Sequence, residues 1–344
     1  MVIACRAPYG GGGLGRHFSE VLEAAREKNE LVRYYAKTRA PGDERIGRVV
    51  STGPLLPLMP YTPLRYSPAW KYHLSGVAFD RAVASMLRRE GEVFTGFLGG
   101  ALLSFRKARK LGMQQLELQA VNSHVENIRR MHVQALKAYD FDAAWLNAAH
   151  IERGLKEYAE ADTIYCNSDY TLQSFLAQGH PAAILKRTYP KAHPRFQPPE
   201  QRPDDGIFRV VYTGSISVAK GVPVLIEAFN KLTSSEARLT LVGNWSTRSM
   251  RRYVEGWMAR DPRIHHAPGD PLPHYHRADV CVHPSYEDGF GYAPAEALAC
   301  GIPVVVTEDT GMKELVHEGE NGWIIPTGSV DALYERLDAL WRRR

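Results

Sequence analysis

The stretch Val280–Thr307, VCVHPSYEDGFGYAPAEALACGIPVVVT, decides how this chain reads. An apolar run, Asp279–Val282, ends at Pro284, and a loop bearing Asp288, Gly289, Phe290 and Gly291 follows. Tyr292–Cys300 then has helical composition, and Gly301 and Pro303 stop it before the β-branched run Val304–Thr307. Strand, loop, helix and strand in that order describe a piece of an open α/β sheet. Ligands of such sheets sit at the carboxyl ends of the strands, where a helix N-terminus with free amides suits phosphate. Asp288 lies in the loop, and Glu296 stands one to two turns into the helix. Carboxylates repel phosphate but hold hydroxyls. Phosphate and polyol together point to a sugar nucleotide.

The alternation continues on both sides of this stretch. Upstream, the buried-strand run Phe208–Tyr212 leads through Gly214 and Ser215 to Lys220, just ahead of a helix from Val222 with Pro223 in its first turn. There an ammonium and a helix dipole converge on a diphosphate. Strands are expected at Arg238–Gly243, Ile264–Gly269 and, after the Asn321-Gly322 turn, Trp323–Ile325. Helices are expected at Thr247–Ala259 and from Ser329 onward.

In the first half, Val2–Arg6 reads as a strand, Pro8–Gly15 (PYGGGGLG) as a glycine loop and Arg16–Glu27 as a helix. Successive glycines remove every Cβ at the strand's carboxyl end, so backbone and ligand approach closely. Further helices are expected at Phe79–Arg89, Ala101–Leu111, Val125–Ala138 and Ala149–Glu160. Strands are expected at Glu92–Phe94, near Leu116–Val121 and at Ile164–Cys166. His124 follows the second of these and points toward the ligand side of the sheet. Residues 53–78 are rich in proline and aromatics and read as irregular. There Tyr61, Tyr66, Trp70 and Tyr72, with Arg65 and Lys71, stack sugars, grip a lipid interface or pack on the sheet; the residues leave the three open. The run Tyr139–Asn147 is a candidate wall for an acceptor pocket.

At 344 residues the chain exceeds what one core usually spans. The expected division is residues 1–190, a proline-rich linker at 191–206 and residues 207–344. Residues 1–200 hold 27 Lys/Arg against 19 Asp/Glu, and residues 201–344 hold 16 against 19, for a net charge of +5. A basic first half fits an anionic acceptor or an anionic membrane surface; no nucleic-acid motif accompanies it. The four cysteines are scattered without metal-type spacing. No run of about 18 apolar residues occurs, and the N-terminus lacks the pattern of a signal peptide. The expected location is the cytoplasm, either free or peripheral at the inner face of the membrane.

The opening stretch resembles the donor-binding signature of retaining GT-B glycosyltransferases of family 4, P-S-x-x-E-G-F-G-x-x-x-x-E-A-x-A-x-G-x-P-V-V. It is met by Pro284, Ser285, Gly289, Phe290, Gly291, Glu296, Ala297, Ala299, Gly301, Pro303, Val304 and Val305, with Asp288 at the first glutamate. Lys220 matches the lysine of the family's G-R-L-x-x-x-K-G, where Ser215 replaces the arginine. Thr310-Gly311, Glu314-Leu315-Val316 and Gly319–Gly322 match a later segment, and Gly12, Gly13 and Gly15 resemble the first-domain glycine loop. The resemblance implies an α/β GT-B fold, two Rossmann-like domains facing each other across a cleft, the first binding a sugar or lipid-linked acceptor and the second the nucleotide sugar. It implies a retaining transfer without metal or cofactor, with Lys220, His124 and Asp288 at the reacting centre. Gly12, Gly13, Gly15, Ser215, Gly289, Phe290, Gly291, Tyr292 and Glu296 would line the donor, Glu296 on ribose hydroxyls. Relatives run further beyond the position of Arg344, so closure is expected to differ. Two alternatives stand beside this reading: a non-catalytic partner that binds nucleotide sugar, and a sugar-nucleotide epimerase or phosphorylase on the same fold.

Overall fold

The computed structural model describes residues 1–52, 61–62, 67–143 and 145–343. Two compact units divide it: Met1–Asn127 with Ala144–Pro190, and Ile128–Ala143 with Lys191–Arg344.

The first unit runs β1 (Val2–Ala4), α1 (Gly12–Glu27), β2 (Arg33–Ala36), β3 (Gly47–Val49), α2 (Pro68–Met86), β4 (Val93–Phe97), α3 (Leu102–Lys110), β5 (Gln115–Ala120), the start of α4 (Val125–Ala138), α5 (Ala148–Glu160), β6 (Thr163–Cys166), α6 (Asp169–Leu176) and β7 (Leu185–Arg187). Its seven strands are parallel in the order β3-β2-β1-β4-β5-β6-β7. Two helices begin earlier than the sequence pattern implies. α1 starts at Gly12, so Gly12, Gly13 and Gly15 enter its first turn while Gly10 and Gly11 stay in the loop before it. α2 starts at Pro68, whose fixed φ suits a first helical position; the aromatic run after it is helical where irregular structure was expected. Arg65 and Tyr66 lie outside the described residues.

The second unit continues with β8 (Phe208–Thr213), α7 (Val222–Asn230), β9 (Ala237–Val242), α8 (Arg248–Met258), β10 (Ile264–Ala267), α9 (Leu272–Tyr275), β11 (Val280–His283), α10 (Tyr292–Ala299), β12 (Val304–Thr307), β13 (Gly322–Ile325) and α11 (Val330–Arg342). Six parallel strands stand in the order β10-β9-β8-β11-β12-β13. Parallel strands covered on both faces read as continuous apolar runs, and VCVH of β11 and VVVT of β12 are buried at every position.

The run after Pro190 packs on this second unit. Phe196 is buried with its ring 5.9 Å from Tyr275, and Arg202 donates to the Cys300 carbonyl at 2.9 Å. The Tyr139–Ala143 stretch also belongs here. Phe141 stacks on Tyr253 at 4.5 Å, and Asp142 accepts the Val218 amide at 2.9 Å and the Thr247 hydroxyl at 2.8 Å. The carboxylate thus holds loops after β8 and β9.

Candidate functional site

In the second sheet the chain leaves β8 toward β9 on one side, while β11 and β12 lie on the other. Such a switch point opens a crevice at the carboxyl ends of the two central strands. The loops that follow β8 and β11 meet there because glycine lets them. Gly221 adopts φ +68°, and a Cβ on it would stand 1.8 Å from the Pro284 carbonyl oxygen. That approach brings Lys220, next to Gly221, against the loop 284–288.

Lys220 Nζ donates to Asp288 Oδ2 at 2.9 Å and to the Glu287 carbonyl at 3.1 Å. His283, the last residue of β11, places Nε2 3.0 Å from the same Asp288 oxygen. Burial alone would raise the Asp288 carboxyl; the Lys220 charge and the His283 hydrogen bond outweigh it and hold the group well below the usual carboxylate range. Ser285 Oγ donates to the Glu287 carbonyl at 2.8 Å, and the Gly311 amide donates to the Asp288 carbonyl at 3.0 Å. The loop is therefore pinned at both ends of its turn. His132, on the part of α4 that belongs to this unit, is pushed down to about 4, first by burial and then by the charge of Lys220.

The remaining donor-site expectations fall around this pair. Gly289 is buried, and Phe290 is inserted in the core, edge-on to Tyr292 at 5.6 Å, so its side chain anchors the loop. Gly291 takes φ +94° at the cap position of α10 and Tyr292 opens the helix. Glu296 is fully buried in α10, its Oε2 3.3 Å from the Tyr275 hydroxyl, which also lies 3.0 Å from the Ala293 carbonyl. Ser215 is exposed, and its carbonyl accepts the Tyr212 hydroxyl at 2.6 Å.

The first unit holds the other expected residues. Gly12, Gly13 and Gly15 form the opening turn of α1, and a Cβ on Gly15 would come within 2.3 Å of the Pro8 carbonyl. His124 is buried, and its Nδ1 accepts the Glu126 amide at 3.2 Å, capping α4. Its ring lies 4.8 Å from Tyr158, 5.1 Å from Phe175 and 5.3 Å from His180. Burial, with His180 adding, pushes it down to about 4. The imidazole is neutral at pH 7 and carries its proton on Nε2, since Nδ1 accepts.

Sequence reasoning missed His283 and His132. A polar residue closing a buried strand directly before Pro284 was the available signal for the first; the second sits on an ordinary amphipathic helix with none. Among the described residues, no group of three or more His, Cys, Asp or Glu side chains converges as metal ligands. No described helix is long and apolar enough to cross a membrane.

Residues 207–343 match the family Glycosyl transferases group 1. The match covers β8 to α11, the whole of the Lys220–Asp288 site. Over 139 residues the chain is 31% identical to the capsular polysaccharide biosynthesis glycosyltransferase CapM of Staphylococcus aureus, covering 39% of this chain and 36% of CapM. Over 156 residues it is 30% identical to a D-inositol 3-phosphate glycosyltransferase of Paenarthrobacter aurescens, covering 41% and 38%. The chain thus spans little more than a third of the length of these relatives. Among solved structures it resembles sucrose-phosphate synthase of Thermosynechococcus elongatus with a TM-score of 0.74 at 20% identity, covering 99% of this chain and 90% of the other. Anabaena HepE, solved in complex with UDP-glucose, gives 0.67 at 15% identity, covering 98% and 88%. The two parallel α/β sheets are those of the GT-B fold.

Proposed function

We propose that this chain is a glycosyltransferase that moves a sugar from a nucleoside diphosphate to an acceptor hydroxyl, with retention of the anomeric configuration and without a metal ion. The observation that carries the reading is the ion pair of Lys220 and Asp288 at the switch point of the second sheet, beside the N-termini of α7 and α10. The group 1 match over the same residues supports it, as does the glycan chemistry in the name of CapM.

In this reading the departing diphosphate gathers negative charge at the bond-breaking step. The Lys220 ammonium and the positive end of the α10 dipole lie ready to stabilise it without reorganisation. Asp288, kept ionised and oriented by Lys220 and His283, accepts a hydroxyl of the donor sugar. Glu296 holds ribose hydroxyls from inside α10. The acceptor binds to the first unit, and its attack on the leaving-group face lets a phosphate oxygen take its proton. The acceptor class is a sugar or a lipid-linked glycan, met in the cytoplasm or at an anionic membrane surface.

The test is release of nucleoside diphosphate from UDP-, GDP- and ADP-sugars in the presence of a chelator, with the anomer of the product read by proton NMR. Turnover of one nucleotide class with the donor's anomeric configuration kept is expected. An inverted product sinks the retaining mechanism, and a requirement for a divalent cation sinks the metal-free one. Turnover that needs no acceptor hydroxyl favours the epimerase reading.

A further inference from the structure

The first sheet has a switch point of its own, between β1 and β4. Arg6 lies just beyond the carboxyl end of β1 and is only 8% exposed. Its guanidinium stacks on the Tyr72 ring at 3.4 Å, and Nη1 donates to the Tyr72 carbonyl at 3.2 Å. Its buried Nε has no hydrogen-bond partner, and the Glu157 carboxylate acts on the group through its charge. Burial lowers it to about 10, so it is charged at neutral pH. A buried guanidinium N–H without a hydrogen-bond acceptor is unfavourable unless something pairs with it.

Two imidazoles share the same surroundings and the same deficit. His150, in the first turn of α5, is 1% exposed, with its ring 5.0 Å from Tyr72 and 6.0 Å from His73. The Nδ1 atoms of His73 and His150 are both buried without partners. Burial and the charges of Arg6, His73 and Arg153 depress His150, and burial and Arg153 depress His73. Gly99, at φ +85° after β4, lets the backbone meet this ring: a Cβ there would stand 2.7 Å from His150 Cε1.

The neighbouring carboxylates are already engaged. Glu157 takes the amides of Gly99, Ala101 and Leu102, and Asp80 those of Leu103 and Ser104, while Arg153 pairs with both acids. No Asp or Glu occurs in the sequence between Glu44 and Asp80, a stretch that includes Lys71 on α2. Lys37 also feels the charges of Arg6 and Lys71. Cys5 is neutral, its thiol pushed up to about 12 by burial.

We propose that the first unit carries an oxyanion site at the carboxyl ends of β1 and β4, in which Arg6, His73 and His150 hold a phosphate group. A tetrahedral oxyanion offers separate oxygens to donors carried by a strand end and two helices, which a two-oxygen carboxylate does not. In the proposed transfer reaction, on which this part rests, the phosphate belongs to the acceptor. The acceptor class is then a phosphorylated sugar or polyol.

The test titrates the full chain, labelled with nitrogen-15 at histidine, with inorganic phosphate at constant ionic strength. The His73 and His150 imidazole signals, assigned through His73→Gln and His150→Gln, should shift saturably with one dissociation constant. Arg6→Gln should raise that constant tenfold or more. Absence of a saturable shift at these two rings overturns the site, as does unchanged phosphate affinity in an Arg6→Gln protein that keeps its circular dichroism. If Arg6→Gln fails to fold, the wild-type titration decides alone. Glucose 6-phosphate binding at least tenfold tighter than inorganic phosphate supports the acceptor role, and equal affinities overturn it. Lys220→Ala should weaken nucleotide-sugar binding by about tenfold or more and leave the His73 and His150 shifts in place, which separates failure of this site from failure of the transferase reading.

Discussion

The Lys220–Asp288 pair makes a prediction that needs no substrate. A double-mutant cycle of Lys220→Met and Asp288→Asn measures how strongly the two side chains depend on one another. The side chains retain 26% and 20% of their exposure, so the pair is neither on the surface nor fully buried. Exposed pairs couple by about 0–1 kcal/mol, and removing one partner of a fully buried pair costs about 3–5 kcal/mol. A coupling of about 1–2 kcal/mol follows for an intermediate site whose carboxylate keeps the His283 hydrogen bond when the lysine is lost. Urea unfolding of the four proteins gives the number, from midpoints at constant slope. The pH dependence supplies a second check. Asp288 is lowered in the folded chain, so its contribution is full above the unfolded value of about 3.9 and is lost as pH falls from there toward the lower folded value. Coupling below about 0.3 kcal/mol at neutral pH would mean the two residues act independently, and the electrostatic account of the site fails.

Gly221→Ala combines a strained φ with a collision on the Pro284 carbonyl; it should cost about 2–4 kcal/mol in urea unfolding and displace Lys220, whereas a neutral result would contradict the packing of the two loops. Acidification should destabilise the chain through its buried imidazoles. His17, His124 and His132 are pushed down to about 4 and His150 to about 3, each first by burial. The unfolded chain binds protons from about pH 6.5 downward, so this stability is complete above that pH and is lost as pH falls toward about 4. The urea midpoint should drop between about pH 7.5 and about pH 5 and drop less in His124→Phe; identical midpoints would refute neutral burial.

Much of the second unit was readable because its turns are made of residues with narrow conformational choices. Gly291, Gly301 and Pro303 bracket α10, and VVVT can only be a buried strand in that context. Lys220 stands out by its place ahead of a helix with Pro223 in the first turn together with its match to the lysine of G-R-L-x-x-x-K-G. Its ion pair with Asp288, 68 residues away, does not, because no local pattern encodes which loops a sheet brings together. The path of α4 was equally hidden: its helical period is local, whereas the contacts of Tyr139 and Asp142 with the second unit are not. In the first unit Pro8–Gly15 reads as a loop; its first half is one, and its second half is the first turn of α1. Glycine weakens a helix without forbidding it, and here the packing of Gly15 on Pro8 decides. The short strands β2, β3 and β7 carry charged residues and give little periodic signal. Arg6 offered none, since an arginine after a strand is ordinary until its partners are counted.

Calorimetric titration of the wild-type chain and of Lys220→Ala with UDP-, GDP- and ADP-glucose, in chelator, tests the central claim most directly. One nucleotide class should bind the wild type at a single site, and Lys220→Ala should weaken it by about tenfold or more, as expected for a lost charged hydrogen bond. Binding of none of the three, or equal binding by Lys220→Ala, would contradict a nucleotide-sugar site at the switch point between β8 and β11.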